Sequence, residues 1–358
     1  MRILIVKLSS IGDIVHAMPA AAAMRRAVPE AEISWVVESR SAEILRGAWM
    51  TGIDRPLVDH LIEIDTRSIR SEKNVEKILP EISRQAKSIR RHKFDVAIDF
   101  QGLIKSGAIA KISGAKQRWG FSRKDLRESA SRLFLTDTVK IEPKTHIIRK
   151  QLRLASQALG FAYDDTRLEF PIGTNEESVD EANEIIAQSG DAFALLNPAG
   201  GWVTKLWHAE KFGALADRIY EETGMISVVA TAPNEIELAR TAAANSRSGK
   251  LNLTQPSLKG FYELAKRASV YVGGDTGPTH IAVAAGAPVV GLFGPTEWWR
   301  NGSLTPGDIC VERTDISCRI DCHRRTCDKW ICMDSDVETV MAAVMRRIST
   351  SVPGTVVS

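Results

Sequence analysis

The sequence predicts an α/β protein of two doubly wound domains, each a parallel sheet covered by helices on both faces. Three observations predict it. Short apolar, β-rich runs alternate with helical patterns along the chain, the order that parallel sheets with crossover helices require. The rhythm restarts near residue 175, after Phe170-Pro171-Ile172-Gly173-Thr174-Asn175, a stretch with the proline, glycine and polar residues of a linker. A length of 358 residues suffices for two cores of ordinary size.

In the first half the strand candidates are 2–7, 32–37, 60–64 and 94–99, and the helix candidates are 13–28, 41–50, 74–92, 103–112 and 144–159. In the second half strands are expected at 192–197, 226–231, 250–253, 269–273 and 288–292, with helices at 176–189, 208–223, 234–246, 258–267 and 278–285. A loop-rich segment with cysteines, 309–333, precedes a last helix at 335–349, and the tail 350–358 is expected to fray. The domain limits so drawn are 1–174, 175–334 and a C-terminal piece 335–358.

Hydrophobic residues make up 44% of the chain and charged residues 25%, which excludes disordered, collagen-like and disulfide-stapled miniature classes. No apolar run approaches the roughly 18 residues of a membrane span. The apolar run from Ile3 to Val6 is too short for a signal-peptide core and has no small-residue cleavage site behind it. It is read as the first strand, and the protein as cytoplasmic. The net charge of +3 conceals an asymmetry: residues 1–175 carry 30 Lys and Arg against 21 Asp and Glu, and residues 176–358 carry 17 against 23. A basic first half fits either a solvated surface or an acidic partner such as nucleic acid, anionic lipid or an acidic sugar.

Ligands of doubly wound sheets bind beyond the carboxyl ends of the strands, so the informative residues follow each strand. The first strand leads through Lys7 into Leu8-Ser9-Ser10-Ile11-Gly12-Asp13. Asp13 opens a helix with apolar Ile14, Val15, Met18, Ala22 and Ala23, and serves there either as an N-cap or as a general base for a substrate hydroxyl. Gly12 permits close approach, and His16 shares the helix face of Asp13, although a buried histidine satisfied by a neighbour is its plainer role.

In the second half, strand 269–273 runs into Gly273-Gly274-Asp275-Thr276-Gly277-Pro278-Thr279-His280. Three glycines and a proline suited to a first helical turn build a helix start whose free N–H groups and dipole favour a diphosphate, with Thr276 and Thr279 adding hydroxyls. A plain cap by Asp275 or Thr276 would not need the three glycines and a histidine. Strand 192–197 ends in Asn197-Pro198-Ala199-Gly200-Gly201, followed by Trp202-Val203-Thr204-Lys205-Leu206-Trp207. Lys205 would meet a leaving diphosphate, or else is a surface lysine; the two tryptophans are packing residues before they are base-stacking ones. Thr296, in Phe293-Gly294-Pro295-Thr296, lies at the same sheet edge. Arg67, Arg70 and Lys73 in one loop, and Arg123, Lys124, Arg127 and Arg132 in another, have the chemistry to grip an acidic acceptor.

Cys318, Cys322, Cys327 and Cys332 fall within 15 residues, which in a cytoplasmic chain points to metal before disulfides. The gaps are not the paired C-x2-C of familiar zinc sites, so reduced thiols are preferred and a structural metal, with His323 as a further ligand, is the alternative. Asp334-Ser335-Asp336 precedes a helix and is read as a cap rather than a metal motif. The chain has no H-E-x-x-H, G-x-S-x-G or P-loop pattern, so zinc-protease, α/β-hydrolase and P-loop readings have no support.

Taken together, Lys7-Leu8-Ser9-Ser10-Ile11-Gly12-Asp13-Ile14-Val15-His16-Ala17-Met18-Pro19 resembles the N-terminal signature of the lipopolysaccharide heptosyltransferases. Lys205-Leu206-Trp207, Gly274 to His280 and Gly291-Leu292-Phe293-Gly294-Pro295-Thr296 resemble their donor-site motifs, in the same order and across nearly the whole chain. The short Ser-Ser-x-Gly-Asp-x-x-His form is more similar to heptosyltransferase I than to II. The resemblance implies a GT-B architecture, two Rossmann-like domains facing a cleft, with the acceptor site in the first and the nucleotide-sugar site in the second. It implies inverting transfer of L-glycero-D-manno-heptose from ADP-heptose to Kdo of Kdo-lipid A, without a required metal or other cofactor. It also implies a place at the cytoplasmic face of the inner membrane, peripherally held, and no nucleic-acid partner.

Carried over by position, Asp13 matches the catalytic base, Lys205 a lysine on the donor phosphates, and Asp275 a donor-site aspartate on the heptose. Thr276 and Gly277 match the diphosphate turn and His280 its neighbour, with Thr204 and Thr296 beside them. Ser9, Ser10, Gly12 and His16, together with Arg67, Arg70, Lys73 and Arg127, would border the acceptor. Pro278 stands where some members carry leucine and removes an N–H, and the region around Asn252 differs from the family's, so its ribose-binding glutamate is not assigned to a residue here. In the family the last helix returns to the N-terminal domain, which would give 335–358 its place. The alternatives are a member with another sugar or acceptor, heptosyltransferase II included, a nucleotide-sugar epimerase of the same shape, and a basic adaptor without activity.

Overall fold

The computed structural model describes residues 1–66, 75–319 and 322–350. They form two compact units, Met1–Gly173 and Thr174–Ser358. The first holds β1 (Arg2–Val6), α1 (Ile11–Ala27), β2 (Glu32–Glu38), β3 (His60–Ile64), α2 (Val75–Arg90), β4 (Val96–Asp99), α3 (Ile104–Ile112), β5 (Gln117–Phe121), β6 (Asp137–Val139) and α4 (Ile147–Leu159). Its sheet runs β3-β2-β1-β4-β5-β6 with every pair parallel. Ile3, Leu4, Ile5 and Val6 are fully buried, as a central parallel strand covered on both faces requires.

The second unit holds α5 (Glu176–Ser189), β7 (Phe193–Asn197), α6 (Ala209–Thr223), β8 (Ile226–Ala230), α7 (Ile236–Ala244), β9 (Leu251–Thr254), α8 (Leu258–Ala265), β10 (Val270–Gly274), α9 (Gly277–Ala284), β11 (Val289–Phe293), α10 (Trp298–Asn301), β12 (Ile309–Glu312) and α11 (Val337–Ser349). Its order, β12-β11-β10-β7-β8-β9, is that of the first sheet with each strand replaced by its counterpart, again all parallel. In both sheets the winding reverses between the first and fourth strands, at β1/β4 and at β7/β10. Connections leave there in opposite directions and open a crevice at the carboxyl ends.

Three strands escape the sequence pattern. β5 is the half-polar Gln117-Arg118-Trp119-Gly120-Phe121, β6 has three residues, and β12 lies in the segment read as loop. The helix expected at 41–50 is a 3-10 helix over Ser39–Leu45. Beyond it the backbone bonds across a turn, Leu57 N to Ala48 O at 2.9 Å and Met50 N to Arg55 O at 3.0 Å, and a helix would have to give these up.

The last helix, expected on the N-terminal domain, packs on the sheet of the second unit. In α11, Val340, Met341, Ala343 and Val344 are buried in one cluster with Leu215, Val290, Leu292 and Val311 of the second unit. Asp336 caps it, accepting Thr339 N at 2.6 Å, and the Arg347 guanidinium is sealed against Asp308 at 2.9 Å. Its apolar stripe thus covers the β10–β12 side of its own sheet.

Where α6 passes α7, a Cβ on Gly213 would stand 2.1 Å from the Ala242 carbonyl oxygen. Gly213→Ala is therefore expected to cost about 1–3 kcal/mol, seen as a lowered melting temperature; an unchanged melt would refute that contact.

Candidate active site

The first unit's crevice is built around a buried lysine. β1 delivers Lys7, 2% exposed, and its Nζ donates to Asp13 Oδ1 at 3.1 Å and to the Phe100 carbonyl at 3.3 Å. The following loop is pinned by Gln101, whose Oε1 accepts Leu8 N at 3.0 Å and Ser9 N at 3.4 Å. Ser10 is the N-cap of α1, and Asp13, at the third helical position, accepts Ser10 N on Oδ2 at 3.0 Å. So Asp13 answers the cap rather than being it. Its side chain is 30% exposed against 3% for Lys7, which leaves the carboxylate open to a ligand. Burial alone would raise its pKa; the Lys7 ammonium and the Ser10 N–H outweigh this and hold it at about 2.

Behind the pair lies Asp99, the register partner of Val6 and fully buried. Its Oδ1 accepts the N–H groups of Gln101 at 2.8 Å and Gly102 at 3.1 Å, and its Oδ2 the Ser106 hydroxyl at 2.9 Å. Burial pushes this carboxyl up to about 6 against those hydrogen bonds and the charge of Lys7. His16 is buried on α1 and meets His146 edge-on, centroids 6.1 Å apart, ahead of α4. Gly12 is buried in the first turn, beside Ser9 and Ser10.

Of the basic residues expected at an acceptor, Arg67, Arg70 and Lys73 lie outside the described residues. Arg123, Lys124 and Arg127 are exposed in the loop after β5, folded over Gly102 at the end of β4, while Arg132 turns back to the Leu135 carbonyl at 2.8 Å.

The second unit repeats the arrangement with a carboxylate at its centre. Asp275, 4% exposed, follows β10. Its Oδ2 accepts Lys205 Nζ at 2.5 Å and the Thr296 hydroxyl at 2.6 Å; its Oδ1 accepts Asn301 Nδ2 at 2.5 Å and faces His280 Nε2 at 3.2 Å. Lys205 also donates to the Asp275 carbonyl at 3.0 Å and lies 4.1 Å above the Trp202 ring, which Arg325 approaches at 5.3 Å. Burial alone would raise the Asp275 pKa; the His280 hydrogen bond and the Lys205 charge hold the carboxyl far below the usual range.

α9 begins at Gly277 with Thr276 as its N-cap and Pro278 in the first turn. Gly274 is needed where the backbones converge, since a Cβ there would stand 3.0 Å from the Lys205 carbonyl oxygen. Thr204, expected beside the donor, is 2% exposed and gives its hydroxyl to the Arg324 carbonyl at 2.5 Å, so it anchors the cysteine-bearing loop. Trp207 is a packing residue, 3% exposed, its Nε1 bonded to the Ser335 carbonyl at 2.9 Å.

Three residues of these constellations, Lys7, Asp99 and Asn301, were not singled out from sequence. Lys7 and Asp99 stand at the ends of neighbouring strands and are joined only by the register between them, and Asn301 carries no local signal. All five cysteines are free thiols, Cys332 buried and Cys318 and Cys327 exposed. The three-ligand cluster among the described residues is Glu32, His60 and His92, which contains no cysteine and lies at the amino ends of the strands. There the contact of His60 Nε2 with Glu32 Oε1 at 2.8 Å and that of Arg91 with His92 account for the grouping.

The family model for glycosyltransferase family 9 (heptosyltransferase) matches residues 82–331. The chain belongs to that family. This glycosyltransferase is 29% identical, over 91% of its own length and 87% of the relative's, to lipopolysaccharide heptosyltransferase 1 of Pseudomonas aeruginosa. Its fold matches that of the E. coli heptosyltransferase WaaC solved with ADP-2-deoxy-2-fluoro heptose, at a TM-score of 0.76 and 22% identity, covering 96% of this chain and 99% of that one. E. coli ADP-heptose lps heptosyltransferase II matches at 0.75 and 16%, covering 98% and 99%. The family 9 enzyme therefore has the GT-B fold of these proteins, a parallel six-stranded sheet in each unit.

Proposed function

We propose that this family 9 enzyme transfers L-glycero-D-manno-heptose from ADP-heptose to Kdo of Kdo-lipid A, with inversion and with Asp13 as general base. The observation that carries the proposal is the ionised, accessible Asp13 carboxylate, set at the carboxyl end of β1 by a buried lysine. The names of the relatives, heptosyltransferase 1 above all, support the sugar and the lipopolysaccharide acceptor. Structures of WaaC with ADP and with an ADP-heptose analogue support the donor.

In this reading an acceptor hydroxyl attacks the anomeric carbon and its proton passes to Asp13. The bond from that carbon to the diphosphate oxygen breaks, and ADP departs. A carboxylate with a pKa of about 2 is a weak base at rest. Its proton therefore arrives late, once the forming bond has made the attacking hydroxyl strongly acidic. The charge growing on ADP is met by Lys205 and by the N–H groups that open α9, where Pro278 offers none. Lys205 moves part of its bonding from Asp275 to phosphate, while Asp275 and Thr296 remain to receive sugar hydroxyls.

The exposed arginines and lysine near Gly102 suit the anionic Kdo and phosphate groups of the acceptor. No described helix is long and apolar enough to cross a membrane; in this reading the basic first unit meets a membrane-held acceptor through its surface charge.

The test is ADP release from ADP-heptose, with and without Kdo-lipid A, in EDTA. Release that depends on acceptor and persists in EDTA is expected, because the leaving charge is met by protein cations. Release without acceptor, or lost on chelation and restored by a divalent ion, refutes the reading. A strong preference for another nucleotide sugar in a donor panel refutes ADP-heptose alone.

A further inference from the structure

We propose that Lys7 is a positioning residue of the transfer: it fixes the orientation and charge of the Asp13 carboxylate from behind, and Asp99 is the counter-charge that keeps this buried ammonium compensated while Asp13 carries the proton. The proposal rests on Asp13 being the base.

Lys7 is held at every point. Its N–H reaches the Val36 carbonyl at 3.4 Å, its carbonyl accepts Trp35 Nε1 at 2.9 Å, and its Nζ bridges Asp13 and Phe100. A lysine is seldom this buried unless paired. With Oδ1 on Lys7, and Oδ2 accepting both Ser10 N and, at 3.3 Å, the Ser10 hydroxyl, Oδ1 keeps a lone pair for an incoming hydroxyl on a side chain that is 30% exposed. Once protonated, Asp13 no longer balances Lys7, and an uncompensated buried ammonium is costly. Asp99 is the carboxylate that remains, fully buried on the neighbouring strand and held by three hydrogen bonds.

Other titratable groups near the pair are His16 on α1 and His146 ahead of α4, which meets it edge-on, while Glu38 ends the neighbouring β2. Glu38 is itself paired with Lys105 of α3 at 3.3 Å. Lys7 acts on the Asp13 carboxyl both by its charge and by a hydrogen bond, and His16 adds a smaller influence in the same direction.

The experiment is ADP release by the full chain as a function of pH, for wild type, Lys7→Met, Lys7→Arg and Asp13→Asn. With Lys7→Met, kcat should fall at least about tenfold, KM for the donor should stay within about twofold, and the acid limb should move up by about one pH unit or more. Lys7→Arg, which keeps the charge, should regain part of the rate. If Lys7→Met does not fold because Asp99 is stranded, Lys7→Met/Asp99→Asn removes both buried charges and should show the same displaced limb. A wild-type rate and acid limb in whichever of these variants folds overturns the inference while leaving Asp13 as base. An active Asp13→Asn overturns the reading beneath it.

Discussion

Asp13→Asn is expected to lower turnover by about 10²–10⁴-fold while ADP still binds. The amide has the size of the carboxylate and its oxygen can still accept the Ser10 N–H, so the start of α1 survives. What is lost is the partner of Lys7 and, in the proposed reading, the group that takes the proton. In the proposed reading the donor-phosphate contacts lie in the second unit, so ADP affinity measured by calorimetry should match wild type. An interaction made only in the transition state lowers kcat and kcat/KM together, and that pairing is the kinetic signature. A variant turning over within a few-fold of wild type would remove Asp13 from the chemistry.

The sign of the pH effect follows from the same carboxyl. Its folded pKa, about 2, lies below the ordinary aspartate value of 3.8. The stabilisation from the Lys7 pair is therefore complete above 3.8 and is lost as pH falls through about 2. Activity that depends on ionised Asp13 should persist into more acidic buffer than an unpaired aspartate would allow.

Lys205→Met is expected to weaken ADP binding about tenfold to a hundredfold, the range for a lost hydrogen bond to a charged group, and also to destabilise the second unit. The two effects have separate origins. Removing one member of a buried ion pair typically costs about 3–5 kcal/mol because the other charge is left behind. Here His280, Asn301 and Thr296 still bond to Asp275, which places the loss toward the lower end. The double variant Lys205→Met/Asp275→Asn should recover much of the melting temperature without recovering ADP affinity. If it recovers both, Lys205 serves only the fold.

What could be read in the sequence was the part carried by composition at strand ends. Asp13 and Asp275 each follow an apolar strand in a turn too rich in serine or glycine for ordinary packing, and Lys205 follows the Gly200-Gly201 turn. Lys7 and Asp99 could not be separated from the strands they end, because their meaning lies in the Val6–Asp99 register, a relation between segments 93 residues apart. Asn301 belongs to a four-residue helix and reaches Asp275 only through the course of the chain between them.

The central strands were legible because burial on both faces leaves an unbroken apolar run. β5, β6 and β12 were not, since they lie at or near a sheet edge and need fewer apolar residues. The landing place of α11 followed from which side of a sheet lacked cover, which one amphipathic helix does not reveal.

The enclosure of Lys205 has a consequence for how ligands arrive. Its ammonium and the Asp275 carboxylate largely cancel at distances well beyond their separation, so the lysine casts little field into solution. An approaching polyanion is not drawn in by it, and meets its charge only on contact, when bonding is exchanged. Association on this side should then vary weakly with ionic strength, and selectivity among anions should be expressed in how long each one stays.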